Sequence, residues 1–256
     1  MKNTIFSLNG RSALVTGGSR GLGKAMTNLF AQAGADVMIS SRNEEELRAT
    51  AQEIHDATEA RIEYAVADLA HRDDVLRLAE SATATLGKVD ILVNNAGHNL
   101  PQPIDQIRDE DWDQMVELNL TSCMVLSRAL VPGMKQRRWG RILHISSMMA
   151  LASTAGRNAY SATKSALLGL AKASSLDLGP YNVTVNCIVP GPFLTDMPMS
   201  ILSQEQQDAM AARTALGRWG RPDELAPPAL LLVSEAGSYI TGSVLVVDGG
   251  ALARVF

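Results

Sequence analysis

The chain is poor in the residues that build disulfide frameworks and metal sites. It has two cysteines, Cys123 and Cys187, each isolated in an apolar run, and four scattered histidines among 256 residues. No Cys-x-x-Cys pair and no cluster of His, Cys, Asp and Glu at ligand spacing occurs, so we predict no metal site. Reduced, buried thiols are expected, which is typical of a cytoplasmic protein.

Long hydrophobic runs and a strong net charge are also missing. No apolar run reaches the roughly 18 residues that a membrane span needs, and the first residues contain no signal-peptide core. The net charge is −4 and the isoelectric point is about 5.6, a balance that does not indicate a nucleic-acid or anionic membrane partner. We therefore expect a cytoplasmic protein that binds neither membranes nor nucleic acids.

The remaining composition is that of a globular protein. Hydrophobic residues make up 46% of the chain and the mean hydropathy is +0.03, which is enough apolar material for a sizeable core. No linker, internal repeat or low-complexity tract interrupts the sequence. We therefore predict one domain over residues 1–256.

Short apolar strands alternate with helical runs along the whole chain. Strands are predicted at 12–16, 36–41, 62–67, 89–97, 140–147, 181–189 and 243–250. A long helical run covers 109–136, and another extends from about 158 to 179. This alternation predicts an α/β fold, a Rossmann-type, doubly wound parallel sheet of about seven strands with helices on both faces.

A glycine-rich turn follows the first predicted strand. The segment from Thr16 to Gly23 reads T-G-x-x-x-G-x-G and leads directly into a helical run. Such turns let the backbone approach a pyrophosphate and direct a helix N-terminus at it. The strict G-x-G-x-x-G spacing is not matched, and a plain β–α turn with surplus glycine is the alternative.

The end of the second strand bears on the choice of dinucleotide. It reads Ser40, Ser41, Arg42, and Arg20 lies inside the glycine-rich turn. An NAD-preferring site usually has Asp or Glu near this position, whereas guanidinium and hydroxyl groups suit a 2′-phosphate. We therefore predict NADP(H). The alternative is that Arg42 is a solvated loop charge and that the acids at 44–46 only begin the next helix.

Polar residues follow the third, fourth and fifth strands. Asp68 either caps the next helix or hydrogen-bonds an adenine, and both readings stay open. The Asn-Asn-Ala-Gly turn at 94–97 and the serines at 146 and 147 lie where open α/β sheets bind ligands. A tight turn alone would also explain asparagine and glycine at such positions.

The motif YSATK at 160–164 places a tyrosine and a lysine one helical turn apart. Tyr160 and Lys164 therefore share one helix face. A fixed positive charge beside a phenol favours the phenolate, which prepares the group for proton exchange near neutral pH. By itself this spacing also fits a surface tyrosine and a snorkelling lysine. Asn119, within an apolar helical run, needs a partner for its amide, and most such partners are structural.

Together these motifs resemble the short-chain dehydrogenase/reductase family over nearly the whole chain. They occur in the family's order and spacing: TGGSRGLG at 16–23, Asp68, NNAG at 94–97, Asn119, ISS at 145–147, YSATK at 160–164, and PG at 190–191 with Thr195 four residues later. A looser resemblance, through residues 6–23 and 213–225, is to gluconate 5-dehydrogenase and 3-oxoacyl carrier-protein reductase members of the family.

The resemblance implies an enzyme that interconverts a ketone and a secondary alcohol with NADP(H). It assigns a catalytic tetrad to Asn119, Ser147, Tyr160 and Lys164, with Ser147 chosen over Ser146 because it lies thirteen residues before Tyr160. Tyr160 would exchange the proton, Ser147 would bind the substrate oxygen, Lys164 would bind the nicotinamide ribose, and Asn119 would hold a water. Besides Tyr160 and Lys164, the implied cofactor contacts are Gly17, Ser19, Arg20, Gly21, Leu22, Gly23, Ser41, Arg42, Asp68, Leu69, Asn95, Ala96, Gly97, Pro190, Gly191 and Thr195.

The resemblance also implies a homotetramer that packs through the helices at about 110–136 and 158–179, with a second interface near the C-terminus. We expect a small sugar acid, polyol or related carbonyl as substrate and a lid at about 192–213. Met148 and Met149, with Met197 and Met199 of the lid, indicate a partly apolar pocket, and ordinary core methionines are the alternative. A 3-oxoacyl carrier-protein reductase is the first alternative function, and it needs a basic surface such as Arg137, Arg138 and Arg141 at the pocket mouth. A non-catalytic NADP-sensing scaffold is the second.

Overall fold

The fold is known from a computed structural model, which describes residues 5–195, 199 and 202–253. In that part of the chain, seven strands form one sheet with the order β3-β2-β1-β4-β5-β6-β7, and every neighbouring pair is parallel. The predicted doubly wound fold is confirmed. The strands are β1 Ser12–Thr16, β2 Asp36–Ser41, β3 Ile62–Val66, β4 Ile91–Asn94, β5 Gly140–Ile145, β6 Val183–Pro190 and β7 Val244–Val247.

Helices cover both faces of the sheet. One face packs against α1, α2 and α8, and the other against α3, α5 and α6. Among the described residues, no helix is long and apolar enough to cross a bilayer. The helices are α1 Gly21–Gln32, α2 Glu44–Thr58, α3 Arg72–Leu86, α4 Asp109–Val116, α5 Ser122–Arg137, α6 Asn158–Leu178, α7 Gln204–Arg213 and α8 Ala226–Val233.

The central strands are apolar on both sides because each sheet face carries a core. In β1, Leu14 belongs to the core beneath α3, α5 and α6, whereas Ala13 and Val15 belong to the core beneath α1, α2 and α8. All five residues of β1 are buried. The uninterrupted apolar run in the sequence is therefore the expected pattern of a strand at the centre of a parallel sheet.

The predicted helix at 109–136 is interrupted. A π turn at Glu117–Thr121 separates α4 from α5 and contains Asn119. A π turn adds only one residue to the helical repeat, and so small a change in a long apolar run is not evident in the sequence pattern. The fourth strand is also shorter than predicted, because Asp90 and Asn95 take part in polar contacts at its two ends.

Charged side chains at the N-terminal ends of the strands are paired. Asp90 is fully buried, and its carboxylate accepts a hydrogen bond from the backbone N–H of Ser12. The same carboxylate lies 2.9 Å from Lys88 Nζ and 3.1 Å from Arg137 Nε. A buried carboxylate costs several kcal/mol unless it is compensated in this way, so these contacts fix where β1, β4 and α5 meet.

A second paired cluster lies at the start of β5. The guanidinium of the fully buried Arg141 lies 4.3 Å from the centre of the Trp139 ring, and that of Arg11 lies 3.6 Å from it. The Trp139 indole N–H donates to Glu235 Oε1 at 2.6 Å. These cation–π and hydrogen-bonding contacts hold the N-terminal edge of the sheet together.

Candidate active site

The glycine-rich turn between β1 and α1 is packed too tightly for side chains. A Cβ added to Gly23 would lie 2.1 Å from the carbonyl oxygen of Gly17, and one added to Gly17 would lie 2.9 Å from Asn95 Nδ2. Gly17 also has φ of +63°, in the left-handed region that favours glycine. The sequence needs glycine here because the turn closes against itself and against the end of β4.

The turn leaves the N-terminus of α1 available to an anion. Arg20 is the N-cap residue and provides no side-chain cap, and the first turn of α1 contains no acid. By contrast, Asn43 caps α2 through the backbone N–H groups of Glu45 and Glu46. Because the first N–H groups of a helix lack intrahelical acceptors and carry partial positive charge, the open end of α1 fits a dinucleotide pyrophosphate.

Thr16 connects this turn to the end of β4. Its hydroxyl donates to the Val93 carbonyl and accepts the backbone N–H groups of Asn95 and Ala96 at 3.0 and 3.1 Å. Asn95 returns the contact by donating Nδ2 to the carbonyls of Thr16 and Gly17. The sequence motif alone does not reveal this role of Thr16. Its position directly before the glycine run is the feature that could have indicated a contact between the turn and β4.

On the predicted adenosine side, the structure shows whether Asp68 caps the helix that follows it. Asp68 does not cap α3, because His71 is the N-cap residue. Instead, Asp68 Oδ1 accepts the backbone N–H of Ala70, and Leu69 is buried beside it. Ser41 is partly buried at the end of β2, and Arg42 is exposed.

The two serines after β5 have different environments. Ser146 is buried, and its hydroxyl donates to the carbonyl of Lys164 at 2.8 Å. Ser147 is only partly buried, and its hydroxyl accepts the backbone N–H of Met149 at the start of a 3₁₀ turn at Met148–Ala150. The Ser147 hydroxyl keeps its own proton to donate, so this serine is the better candidate for a substrate contact.

Tyr160 and Lys164 lie one turn apart near the start of α6. Lys164 Nζ lies 5.8 Å from the centre of the Tyr160 ring and donates to the carbonyl of Ile145 at 2.8 Å. Lys164 is only 4% exposed, whereas Tyr160 is partly exposed. The ammonium therefore sits between the end of β5 and the tyrosine, and the surface alternative for this pair does not apply.

Asn119 is fully buried in the π turn and is fully hydrogen-bonded. Its Oδ1 accepts the backbone N–H of His98, and its Nδ2 donates to the His98 carbonyl, both at 2.9 Å. Nδ2 also lies 3.3 Å from the hydroxyl of Thr163, on the α6 turn that carries Tyr160. Asn119 thus connects the loop after β4 to α6.

Gly97 lies where these groups converge. A Cβ added there would lie 3.1 Å from Asn119 Oδ1 and 3.2 Å from Lys164 Nζ. Farther along the strand ends, a Cβ on Gly191 would lie 2.6 Å from the Asp248 backbone, and one on Gly21 would lie 3.3 Å from Thr195. The C-terminal edge of the sheet thus brings together the predicted residues from β1, β4, β5, β6 and α6.

Comparison with known proteins identifies the family of this chain. A family model described as enoyl-(acyl carrier protein) reductase matches residues 17–251. The chain is 38% identical to 3-oxoacyl-(acyl-carrier-protein) reductase FabG of Chlamydia muridarum, over 94% of this chain and 96% of that protein. It is 35% identical to gluconate 5-dehydrogenase of Gluconobacter oxydans, over 96% of each. The chain belongs to the short-chain dehydrogenase/reductase family.

Solved structures of other members share the whole fold. A 3-oxoacyl (acyl-carrier-protein) reductase from Agrobacterium tumefaciens with NADP bound has a TM-score of 0.93 at 34% identity, covering 98% of this chain and 97% of that one. A 7α-hydroxysteroid dehydrogenase complexed with NADH also gives 0.93, at 35% identity and 98% coverage of both chains. This protein is therefore a short-chain dehydrogenase/reductase oxidoreductase, a family that uses NAD(P)(H).

Beneath the site of this oxidoreductase lies a row of buried polar groups. His144 in β5 contacts Asn94 Nδ2 in β4 at 3.1 Å, and both are buried. Burial, helped by the charge of Lys164, lowers the pKa of His144 to about 4. Burial also raises the pKa of the neighbouring Cys187 thiol to about 12. Both groups are neutral at pH 7, so neither is suited to acid–base or nucleophilic chemistry.

Within the described ranges, no three His, Cys, Asp or Glu side chains form a group that could hold a metal ion.

The segment predicted as a lid, residues 192–213, ends in the helix α7, and its Met199 is partly buried. Met197 lies outside the described residues.

Proposed function

We propose that this protein interconverts a ketone and a secondary alcohol with NADP(H), with Tyr160 as the proton donor or acceptor. One observation carries the proposal. The Tyr160–Lys164 turn of α6, the Ser147 end of β5 and the glycine-rich turn border the same edge of the sheet, and Gly97 leaves space beside Lys164 Nζ. When bound, the nicotinamide supplies or accepts the hydride.

In this proposal, the protein holds the substrate oxygen and moves one proton. The Ser147 hydroxyl donates a hydrogen bond to the substrate oxygen and stabilises the negative charge that develops there. The Tyr160 hydroxyl gives its proton to that oxygen during reduction and takes it back during oxidation. The partial exposure of both side chains supports this, because a substrate must reach them from solvent.

Lys164 and Asn119 would prepare the site. The buried ammonium of Lys164 lies beside the Tyr160 ring and would donate to the hydroxyls of the nicotinamide ribose. Asn119 would hold a water that links Lys164 to solvent, and its side-chain contacts to His98 and Thr163 support a positioning role as well. Thr163 joins it in holding the α6 turn.

We further propose that NADP(H) is preferred over NAD(H) and is held by the cradle residues of the glycine turn and by the ends of β2, β3, β4 and β6. Arg20 and Arg42 would contact the 2′-phosphate together with Ser41. A relative with NADP bound supports the choice, and another complexed with NADH is the counterexample. We expect Arg42→Asp to reduce or reverse the ratio of NADP to NAD affinity that is measured for the wild type. Stronger binding of NAD than of NADP by the wild type would overturn the proposed preference.

A free small carbonyl compound is the proposed substrate class, with sugar acids and polyols as first candidates. Similarity to gluconate 5-dehydrogenase supports this, while similarity to FabG supports a 3-oxoacyl carrier-protein reductase. Arg137, Arg138 and Arg141 do not favour the carrier protein. They lie around the N-terminal end of β5, where Arg141 is buried, Arg137 pairs with Asp90, and Arg138 donates to the Pro180 carbonyl.

The surface beside the proposed substrate site is acidic. The segment 105–113 has five carboxylates and one arginine, Arg108, which pairs with Asp111. Asp111 also accepts from Gln102, which in turn bonds Gly156 just before the α6 turn of Tyr160. An acidic carrier protein would meet repulsion there. The alternative predicts a difference in turnover rate. If a 3-oxoacyl thioester were turned over much faster on its carrier protein than on a short pantetheine arm, the carrier-protein reductase would be favoured instead.

The assembly and the lid are part of the same proposal. We expect a cytoplasmic homotetramer of single-domain subunits, each with a lid at about 192–213. A groove of about 530 Å³ between α5 and α6 supports the first interface, and the fully exposed Tyr239 near the edge strand β7 supports the second. Light scattering after size-exclusion chromatography tests the tetramer.

The deciding experiment measures NADPH oxidation over a panel of ketones, sugar acids in their keto form and 3-oxoacyl thioesters. Turnover by the wild type and loss of turnover in Tyr160→Phe would support the proposal. Inertness over the whole panel, with NADPH still bound tightly, would favour the non-catalytic scaffold. Failure to bind either nicotinamide dinucleotide would contradict both functions.

A further inference from the structure

The proposed cofactor site contains a carboxylate that sequence reasoning treated only as a helix-start acid. Glu46 lies in the first turn of α2 and is partly buried, unlike the exposed Glu44 and Glu45. Its Oε2 accepts a hydrogen bond from the hydroxyl of Ser19 at 3.3 Å. Ser19 belongs to the glycine-rich turn, so the carboxylate reaches across from α2 into the cradle proposed for the dinucleotide.

Glu46 is held in this position from both sides. Its Oε1 accepts Nδ2 of Asn43 at 3.2 Å, and the backbone N–H of Asn43 donates to the hydroxyl of Ser41. On the other side, the hydroxyl of Thr50 donates to the Ser19 carbonyl at 2.8 Å, which fixes the turn against α2. Glu46 therefore contacts Ser19 directly and is linked to Ser41 through Asn43, and the adenosine ribose would lie between these two serines.

A negative charge at this point affects the two cofactors differently. A 2′-phosphate near Ser41 and Arg42 carries about two negative charges, whereas the 2′-hydroxyl of NAD carries none. Repulsion by one carboxylate a few ångströms away therefore weakens NADP binding and leaves NAD binding nearly unchanged. The carboxylate also competes with the phosphate for the Ser19 hydroxyl.

We infer that Glu46 is a specificity-determining residue that limits the preference of this protein for NADP over NAD. This inference rests on the proposed function, because it assumes a dinucleotide in the glycine-rich cradle. Substituting the acid, rather than adding a further base, should make the protein more selective for NADP.

The test compares dissociation constants for NADP and NAD in the wild type, Glu46→Gln, and the matched controls Glu44→Gln and Glu45→Gln. Each variant removes one negative charge from the same helical turn. In Glu46→Gln, the amide oxygen can still accept from Asn43 Nδ2, and the amide N–H can donate to the Ser19 hydroxyl oxygen. We expect Glu46→Gln to tighten NADP binding about fivefold at low salt with less than a twofold change for NAD. The controls should change NADP affinity by less than twofold, because their side chains are exposed and point to no cradle contact.

Ionic strength provides the second readout. The advantage of Glu46→Gln should shrink as salt is raised, since the repulsion that it removes is screened. Equal changes for NADP and NAD, or weaker NADP binding in Glu46→Gln, would overturn the inference and leave Glu46 a structural bridge. Wild-type protein that binds neither dinucleotide would contradict the proposed function itself, which is a distinguishable result.

Discussion

The two edges of the sheet use polar residues in opposite ways. At the N-terminal edge, Asp90 and Arg141 are fully buried, and their charged groups are surrounded by side chains of opposite charge, backbone groups and an aromatic ring. At the C-terminal edge, Lys164 is nearly as buried, yet no carboxylate in the described part of the chain pairs with it. Neutralised charges hold a fold together, whereas a charge left without its counter-ion can act on a ligand.

The largest effect that separates the two edges should come from Tyr160→Phe. Removing the hydroxyl takes away the proposed proton donor, so kcat should fall by roughly 10²–10⁴-fold. The substitution removes one partly exposed hydroxyl and no packing, so the melting temperature and NADPH affinity should stay near the wild-type values. Steady-state kinetics, thermal denaturation and fluorescence titration check the three quantities. Retention of more than a tenth of the wild-type kcat would remove Tyr160 from the mechanism.

Asp90→Ala should give the reverse pattern. It leaves Lys88, Arg137 and the backbone N–H of Ser12 without their common acceptor. Because Lys88 and Arg137 are each about one-third exposed and can be hydrated, we expect a loss of about 3 kcal/mol in the free energy of unfolding. Urea denaturation measures it. The kcat of the folded fraction should be unchanged, and a large fall in kcat would mean that the two edges are not independent.

His144 lies between the edges and should give the smallest effect. Its pKa is about 4 in the folded protein and about 6.5 in the unfolded chain. Since the folded pKa is depressed, the stability from keeping His144 neutral is complete above pH 6.5 and is lost as pH falls toward 4. The loss between pH 7 and pH 5 amounts to about 2 kcal/mol.

The variant His144→Gln cannot titrate and retains a partner for Asn94. Between pH 7 and pH 5, the free energy of unfolding should therefore fall less in the variant than in the wild type. The difference between the two decreases should be about 2 kcal/mol. Denaturant titrations at both pH values measure the difference. Parallel pH profiles for the two proteins would show that another group governs acid stability.

The sequence patterns were most informative where local structure and burial agree. β1 and β2 begin and end at the predicted residues, because apolar strands at the centre of a parallel sheet leave strong local patterns. The four tetrad positions were named from motif spacing, and the structure brings their segments to one edge.

What the sequence could not show depends on contacts between distant segments. The direction of the Glu46 carboxylate follows from how α2 packs beside the glycine-rich turn. The burial of Arg141 and the pairing of Arg137 follow from where β5 starts in the sheet. Helical periodicity could not reveal the π turn, since it adds a single residue between two apolar helical segments that read as one run. Each of these features is set by tertiary structure, which local propensity does not encode.

The π turn also determines how the rest of its helix faces the core. Each residue advances a helix by about 100°, so deleting one residue within Glu117–Thr121 would rotate all of α5 by that angle relative to α4. Cys123, Leu126 and Leu130 would leave the apolar interior, and the amide of Asn119 would lose His98. A single extra residue thus sets the phase of a helix of sixteen residues, and shortening it would disturb the protein far from the place of the cut.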